Sequence, residues 1–477
     1  MGSTPNDNQP TTSCHVVAVP YPGRGHINPM LNVCSVIAEN NKDILITFVI
    51  TEEWLGLIGS VSKPPNVRFA TIANVLPSEL IRGDDPRGFW TTVKTKMEEP
   101  VERLVDQLRL PAPAVIVADA FLAWAADLAA RRNIPLASVW PMSASVFTVL
   151  YHFDLLNPKN GDDIVDCIPG LSPLRVADLP TALRDKEAAL SIPQLLHNRK
   201  FLIFTSIYDL ESQVIDALKQ KSTFSIYNIG PSTSYFKVKN IDNQINIGHR
   251  KDLLHPPELE SEDLSENNTS LQDNFNYYLK WLDLQPPDSV LYISLGSFLS
   301  VSKAQIDEIA TGLVKSGVRF LWVTRAETLR LQEICGVKGL IVAWCDQLRV
   351  LSHPSVGGFW SHCGWNSTNE ALLTGMPVLT FPILMDQVPN AKAIVEDWKI
   401  GWRVKRMFDE NDLARGNEIA EIVERFMNLE SEERKEITTN AKELQKICEK
   451  EFADGGSFQT NVDGLTTSIL QLSPTGL

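Results

Sequence analysis

The chain has 477 residues, 44% of them hydrophobic and 21% charged, and its 44 Lys and Arg against 58 Asp and Glu give a formal net charge of −14. That length exceeds what one hydrophobic core comfortably supports and suits two domains of ordinary size. The negative balance excludes a nucleic-acid or anionic-membrane partner, both of which demand broad basic faces, and no run of about 18 apolar residues offers a membrane span.

Residues 1–13 are polar, without a charged start and apolar core, and are expected to form a disordered N-terminus rather than a leader or anchor. His15 to Val19 reads as a buried strand, followed by the turn Pro22-Gly23-Arg24-Gly25-His26 and a helix from about Asn28 to Glu39. Strands follow over 44–50 and 66–72, then a helical pattern over 89–108, a strand over 114–118, a helix over 122–131 and a strand over 136–140. This is βαβ order, which calls for a parallel sheet. Strand-like runs over 201–206 and 225–229 close a first domain, residues 14–231.

From 232 to 276 the composition turns to Asn, Asp, Glu, Ser and Pro with weak periodicity, the pattern of an exposed and partly disordered linker. A second alternating domain, 277–450, begins with a strand over 290–295, a helix over 303–314 and a strand over 320–324. It continues through strands at 340–343 and 356–360 and helices near 368–374, 391–398, 417–427 and 432–448. A tail, 451–477, carries a semi-apolar stretch over 465–472. The expected fold class is α/β, two doubly wound Rossmann-like domains facing each other across a cleft. Seven scattered cysteines form no Cys-x-x-Cys pair and no metal-like spacing with His, so free thiols in a reducing, cytoplasmic compartment are expected.

The richest stretch runs from Trp344 to Gln387. The strand 340–343 delivers Trp344 to its C-terminal end, where open α/β sheets keep their ligand crevice and a flat indole can stack on a base. The run Val356 to Trp360 leads into Ser361-His362-Cys363-Gly364-Trp365-Asn366-Ser367 and a helix ending at Gly375. The first N–H groups of such a helix lack intrahelical partners and carry the positive end of the macrodipole, so a diphosphate there satisfies both. Gly364 lets the backbone approach, and His362, Asn366 and Ser367 can donate hydrogen bonds. A blander function exists for part of this: Ser367-x-x-Glu370 fits a capping box and Gly375 a C-cap.

The segment resembles the nucleotide-sugar box of plant secondary-product UDP-glycosyltransferases, family 1 glycosyltransferases: Trp344 with Gln347, His362 to Ser367 with Glu370, then Asp386 with Gln387. The resemblance implies the GT-B form of the fold, with the tail crossing back onto the first domain. It implies that Trp344 stacks on uracil, that Gln347 and Glu370 hold the ribose, and that His362, Gly364, Asn366 and Ser367 hold the diphosphate. Trp365, Asp386 and Gln387 are then expected to face the sugar, with the terminal Gln387 pointing to glucose. Cys345 lies inside the box and is counted with the donor set, although as a small packing residue, like Cys363. Two positions depart from the commonest family wording: Met385 before the acid, and Asn369 before Glu370.

Sugar transfer needs a general base for the acceptor hydroxyl. His26, in the turn after the first strand, is the candidate, and Asp119 ends another buried strand that points into the same crevice. Asp119 alone could simply cap the helix near Leu122. Likeness to the family's Gly-His-x-x-Pro turn, here Gly25 to Pro29, implies a His26–Asp119 dyad. It also implies a diphosphate contact for Ser297, in the turn Leu295-Gly296-Ser297 after the first strand of the second domain. No Asp-x-Asp pair occurs, so neither a metal nor another cofactor is expected and the donor is an ordinary substrate. One displacement by the activated acceptor would invert the anomeric centre. Phe89, Trp90, Trp140, Met142, Phe147 and His152 would suit a flat phenolic or terpenoid-like acceptor, or could equally be core. A monomer binding only small molecules is expected. The rival from another class is a nicotinamide- or flavin-dependent oxidoreductase, since Gly23-x-Gly25 follows the first strand and Glu52 or Glu53 the second, but Asn28 and Pro29 stand where a third glycine is needed. A further rival is a non-catalytic ligand carrier on the same scaffold.

Overall fold

The computed structural model describes residues 14–79, 81–83, 85–108, 111–156, 161–184, 199–231, 271–296, 301–325, 327–407, 409 and 411–473, with 184 and 271–276 by backbone alone. Its first domain has strands β1 (Cys14–Val19), β2 (Ile44–Thr51), β3 (Val67–Ile72), β4 (Pro113–Asp119), β5 (Leu136–Trp140), the short pair β6 (Ile164–Val165) and β7 (Leu174–Arg175), then β8 (Phe201–Phe204) and β9 (Ser225–Asn228). The second has β10 (Val290–Ser294), β11 (Arg319–Val323), β12 (Gly339–Val342), β13 (Val356–Ser361), β14 (Val378–Thr380) and β15 (Gly401–Arg403). The two large sheets run β3-β2-β1-β4-β5-β8-β9 and β12-β11-β10-β13-β14-β15, parallel throughout, while β6 and β7 form a separate antiparallel hairpin.

Each strand is a near-continuous apolar run because helices cover both sheet faces. Along β1, Val16 and Ala18 pack with helices Arg24–Asn40 and Ser457–Leu470, whereas Val17 and Val19 turn to helices Pro86–Lys96, Glu98–Gln107 and Ala123–Arg131. The period of two along a strand produces this division. In β10, Leu291 and Ile293 pack with helices Lys303–Ser316 and Gly416–Met427, while Val290 and Tyr292 meet helices Trp365–Thr374 and Glu432–Glu451. Helix Ser457–Leu470 places Val462, Leu465 and Ile469 in the first domain's core, and Asn461 Oδ1 accepts the Asn228 N–H at 2.9 Å.

Several element boundaries differ from expectation. The first helix starts at Arg24, one turn before Asn28, and carries Pro29 inside it. The pattern over 89–108 splits at Met97 into two helices. Residues 232–270 of the expected linker lie outside the described residues, and its last six belong to helix Leu271–Asp283. The expected N-terminal segment 1–13 lies outside them too.

Close packing within the second sheet leaves no room at Gly357, where an added Cβ would stand 2.1 Å from the Asp288 carbonyl oxygen. Gly357→Ala is therefore expected to cost about 2 kcal/mol through forced backbone movement, read as a lower Tm. An unchanged Tm would contradict the tightness of this contact.

Candidate functional site

Both sheets place their working residues where strand order reverses, the point at which open α/β sheets leave a crevice. In the first sheet the reversal lies between β1 and β4. His26, in the first turn of helix Arg24–Asn40, follows β1, and Asp119 ends β4. His26 Nδ1 and Asp119 Oδ2 are 2.8 Å apart. Asp119 Oδ1 accepts the Phe121 N–H at 2.9 Å, so both oxygens are fixed, and this carboxylate is buried while the imidazole is partly exposed. A carboxylate on Nδ1 fixes the tautomer with its proton there and leaves Nε2 as the acceptor.

Tyr21 and Phe121 flank the imidazole, with ring centroids at 4.9 and 5.6 Å. Sequence reasoning missed both. The signal was available: each sits two residues past the end of its strand, β1 or β4.

In the second sheet the reversal lies between β10 and β13. The turn after β10 ends the described residues at Gly296, so Ser297 lies outside them. The turn after β13 carries His362, whose Nε2 would stand 2.9 Å from a Cβ at Gly296 and 2.5 Å from one at Gly364. Only glycine at both places leaves space for that ring. Burial lowers the His362 pKa to about 4, so it is a neutral imidazole.

Helix Trp365–Thr374 begins at Gly364 with no side-chain cap. Ser367 is its third residue, not its cap, so the expected capping box does not form. An uncapped N-terminus leaves its N–H groups for an anion. Ser367 Oγ instead accepts from Gln347 Nε2 at 2.9 Å, and the same Nε2 reaches Glu370 Oε2 at 2.5 Å. Tyr292 donates its hydroxyl to Gln347 Oε1 at 3.1 Å, which fixes the amide's orientation. Burial raises the Glu370 pKa to about 7 against the hydrogen bond from Gln347. Trp344, just past β12, is 43% exposed. Cys345 is buried against the Tyr292 hydroxyl with its thiol pushed up to about 12, a packing group rather than a nucleophile.

Asp386 and Gln387 follow the turn at Met385. Asp386 Oδ2 accepts from Asn390 Nδ2 at 2.8 Å, and burial raises its pKa to about 6 even though the His26 charge and the Trp365 N–H act the other way. Gln387 Oε1 accepts the N–H groups of Ile383 and Leu384, at 2.8 and 3.0 Å. Its oxygen therefore serves the turn, and its NH2 remains as a donor.

Contacts between the domains join the two halves of the site. Pro29 has no N–H to give the Gly25 carbonyl four residues back, which is left unpaired in the helix. Asn366 Nδ2 of the second domain donates to that carbonyl at 2.9 Å. The indole of Trp365 is buried and donates to Thr205 O at 3.3 Å, while its backbone N–H serves Asp386. Asn369 joins it on the same carbonyl at 3.1 Å, a polar task that accounts for Asn at this position.

Of the six residues considered for the acceptor, Phe89 and Trp140 pack against Tyr21 and Phe121, the rings that flank His26. Trp140 and Phe147 are fully buried. Trp140 stacks on Phe121 at 5.3 Å and is met edge-on by Phe147 at 5.2 Å. Phe89 touches Tyr21 edge-on at 6.2 Å and, like Met142 and His152, is buried, whereas Trp90 is exposed. Among the described residues no helix is long and apolar enough to cross a membrane, and all seven cysteines are free.

Comparison with known proteins agrees with this geometry. The family described as UDP-glucoronosyl and UDP-glucosyl transferase matches residues 267–425. The chain is 44% identical to UDP-glycosyltransferase 87A2 of Arabidopsis thaliana over 98% of its own length and 99% of that protein's. It is 43% identical to UDP-glycosyltransferase 87A1 of the same plant, over 95% and 100%. Among solved structures it is similar to Os79 from O. sativa in complex with U2F and trichothecene, with 25% identity, a TM-score of 0.78 and coverage of 95% of this chain and 100% of that one. No support appears for an oxidoreductase. The fold is GT-B, and an identity held along nearly the whole length shows that the chain belongs to the plant family 1 UDP-glycosyltransferases, enzymes that transfer a sugar from a UDP donor.

Proposed function

We propose that the protein transfers glucose from UDP-glucose to a hydroxyl or carboxyl group of a small lipophilic plant metabolite, with inversion at the anomeric carbon. The observation that carries this reading is the 2.8 Å pairing of His26 with Asp119, set across the cleft from an uncapped helix N-terminus. Uracil stacks on Trp344, the ribose diol is held by Glu370 with Gln347, and the diphosphate meets the helix start with His362, Asn366, Ser367 and Ser297. Asp386 and the Gln387 amide hold the hexose.

The acceptor oxygen attacks C1 as its proton passes to His26 Nε2. The bond from C1 to the UDP oxygen breaks on the opposite face, and Asp119 stabilises the imidazolium. Charge on departing UDP is met by the helix N-terminus and its neighbouring donors without a divalent cation. Displacement from the opposite face turns an α-linked donor into a β-glycoside. The aromatic pair Tyr21 and Phe121 beside His26 favours a flat apolar acceptor, and the related Os79 was captured with a trichothecene. On this reading the protein is a monomer of the cytoplasm, where free thiols stay reduced. Incubation of purified protein with UDP-glucose and a panel of plant phenolics, terpenoids and hormones, read by mass spectrometry, tests it: hexosylated products support the reading, and none across the panel contradicts it.

A pH dependence follows from Glu370. Its ionised form accepts the ribose hydroxyls, and burial places its pKa at about 7. Below that value binding must first expel a proton, so affinity for UDP-glucose falls about tenfold per pH unit and levels off above it. Calorimetry across this range measures the slope, and Glu370→Gln should remove it. Constant wild-type affinity would contradict the role.

A further inference from the structure

The second domain's sugar-facing turn is held from the first domain by a contact that the reaction scheme does not use. Beyond the β6–β7 hairpin, Thr181 donates its N–H to the Met385 carbonyl at 3.2 Å, and Met385 donates its N–H to Thr181 Oγ1 at 2.7 Å. Met385 has φ +60°, a left-handed conformation that disfavours residues bearing a Cβ and persists only where surroundings enforce it. It directly precedes Asp386 and Gln387. Ion pairs fasten the same segment: Arg406 of the second domain meets buried Asp178 at 3.0 Å, and Arg175 meets Glu396 at 3.4 Å.

We propose that Thr181 is a positioning residue for the donor hexose, clasping Met385 from the opposite domain and so setting the turn that presents Asp386 and Gln387 to the sugar hydroxyls. The inference rests on the reading that those two residues hold the hexose. Gln347 and Glu370, assigned to the nucleoside, hydrogen-bond with Tyr292, Ser367 and each other rather than with the clasp. Thr181 therefore acts on the sugar and not on UDP. Because its hydroxyl comes from the acceptor domain, the hexose subsite is complete only when the domains are together, which couples closure to sugar choice.

Thr181→Val keeps the side chain's shape and leaves the Met385 N–H without its acceptor. KM for UDP-glucose is expected to rise about tenfold, the Kd of UDP to stay within about twofold, and preference for UDP-glucose over UDP-galactose to relax. Thr181→Ser should restore all three. Should the valine variant be insoluble, Thr181→Ala carries the same expectation, since this half-buried side chain fills no core. Equal weakening of UDP and UDP-glucose would show a merely structural contact and overturn the proposal, as would no change in either. Asp386→Asn separates the two readings. If it raises KM for UDP-glucose while Thr181→Val does not, the clasp alone is wrong; if it changes nothing, the assignment of the hexose site fails and takes the clasp with it.

Discussion

Replacing His26 by alanine is expected to lower kcat about a thousandfold, within the range that a positioned general base supplies, while the Kd of UDP stays unchanged. The split follows from the architecture, because His26 belongs to the first domain and makes no part of the uridine site. Asp119→Asn should fail in a related way: its amide would present an N–H to Nδ1, so the ring would carry its proton on Nε2, the atom that must accept one. Steady-state kinetics with calorimetry on the same variants checks both. Equal turnover by wild type and His26→Ala would remove the base from the mechanism and point to a different proton acceptor.

The second large effect is on binding. On the proposed reading, Glu370→Ala removes a charged acceptor for the ribose diol, and it leaves Gln347 Nε2 with one partner fewer. Hydrogen bonds to charged groups contribute about 1.5–3 kcal/mol each, so the Kd of UDP should rise about a hundredfold, the equivalent of about 2.7 kcal/mol. Turnover at saturating donor should fall far less, since the ribose lies away from the reacting bond. A large fall in kcat with unchanged Kd would move Glu370 out of the nucleoside site.

Much of this was legible locally. The buried strands announce themselves as apolar runs, and resemblance to the family box singled out Trp344, Gln347, His362, Glu370 and Asp386 as the proposed donor residues. The pairing of His26 with Asp119 was implied by family resemblance, and the adjacency of β1 and β4 that brings them within 2.8 Å became visible only in the structure. What else stayed hidden depends on the other domain. Pro29 inside a helix is tolerable because the carbonyl it frees has a partner in Asn366, more than 300 residues away along the chain. The Trp365 indole and the Asn369 amide both turn to the Thr205 carbonyl of the first domain. Thr181 carries no local pattern at all, since its meaning lies in a left-handed residue of the facing domain.

The central claim is a single displacement in which one domain deprotonates the acceptor while the other holds the UDP-sugar. The anomeric configuration of the first product formed from UDP-α-glucose, read from its proton NMR coupling, tests it most directly. A β-glycoside is predicted; an α-glycoside would contradict the account, because retention requires either a second displacement or attack from the side that UDP occupies.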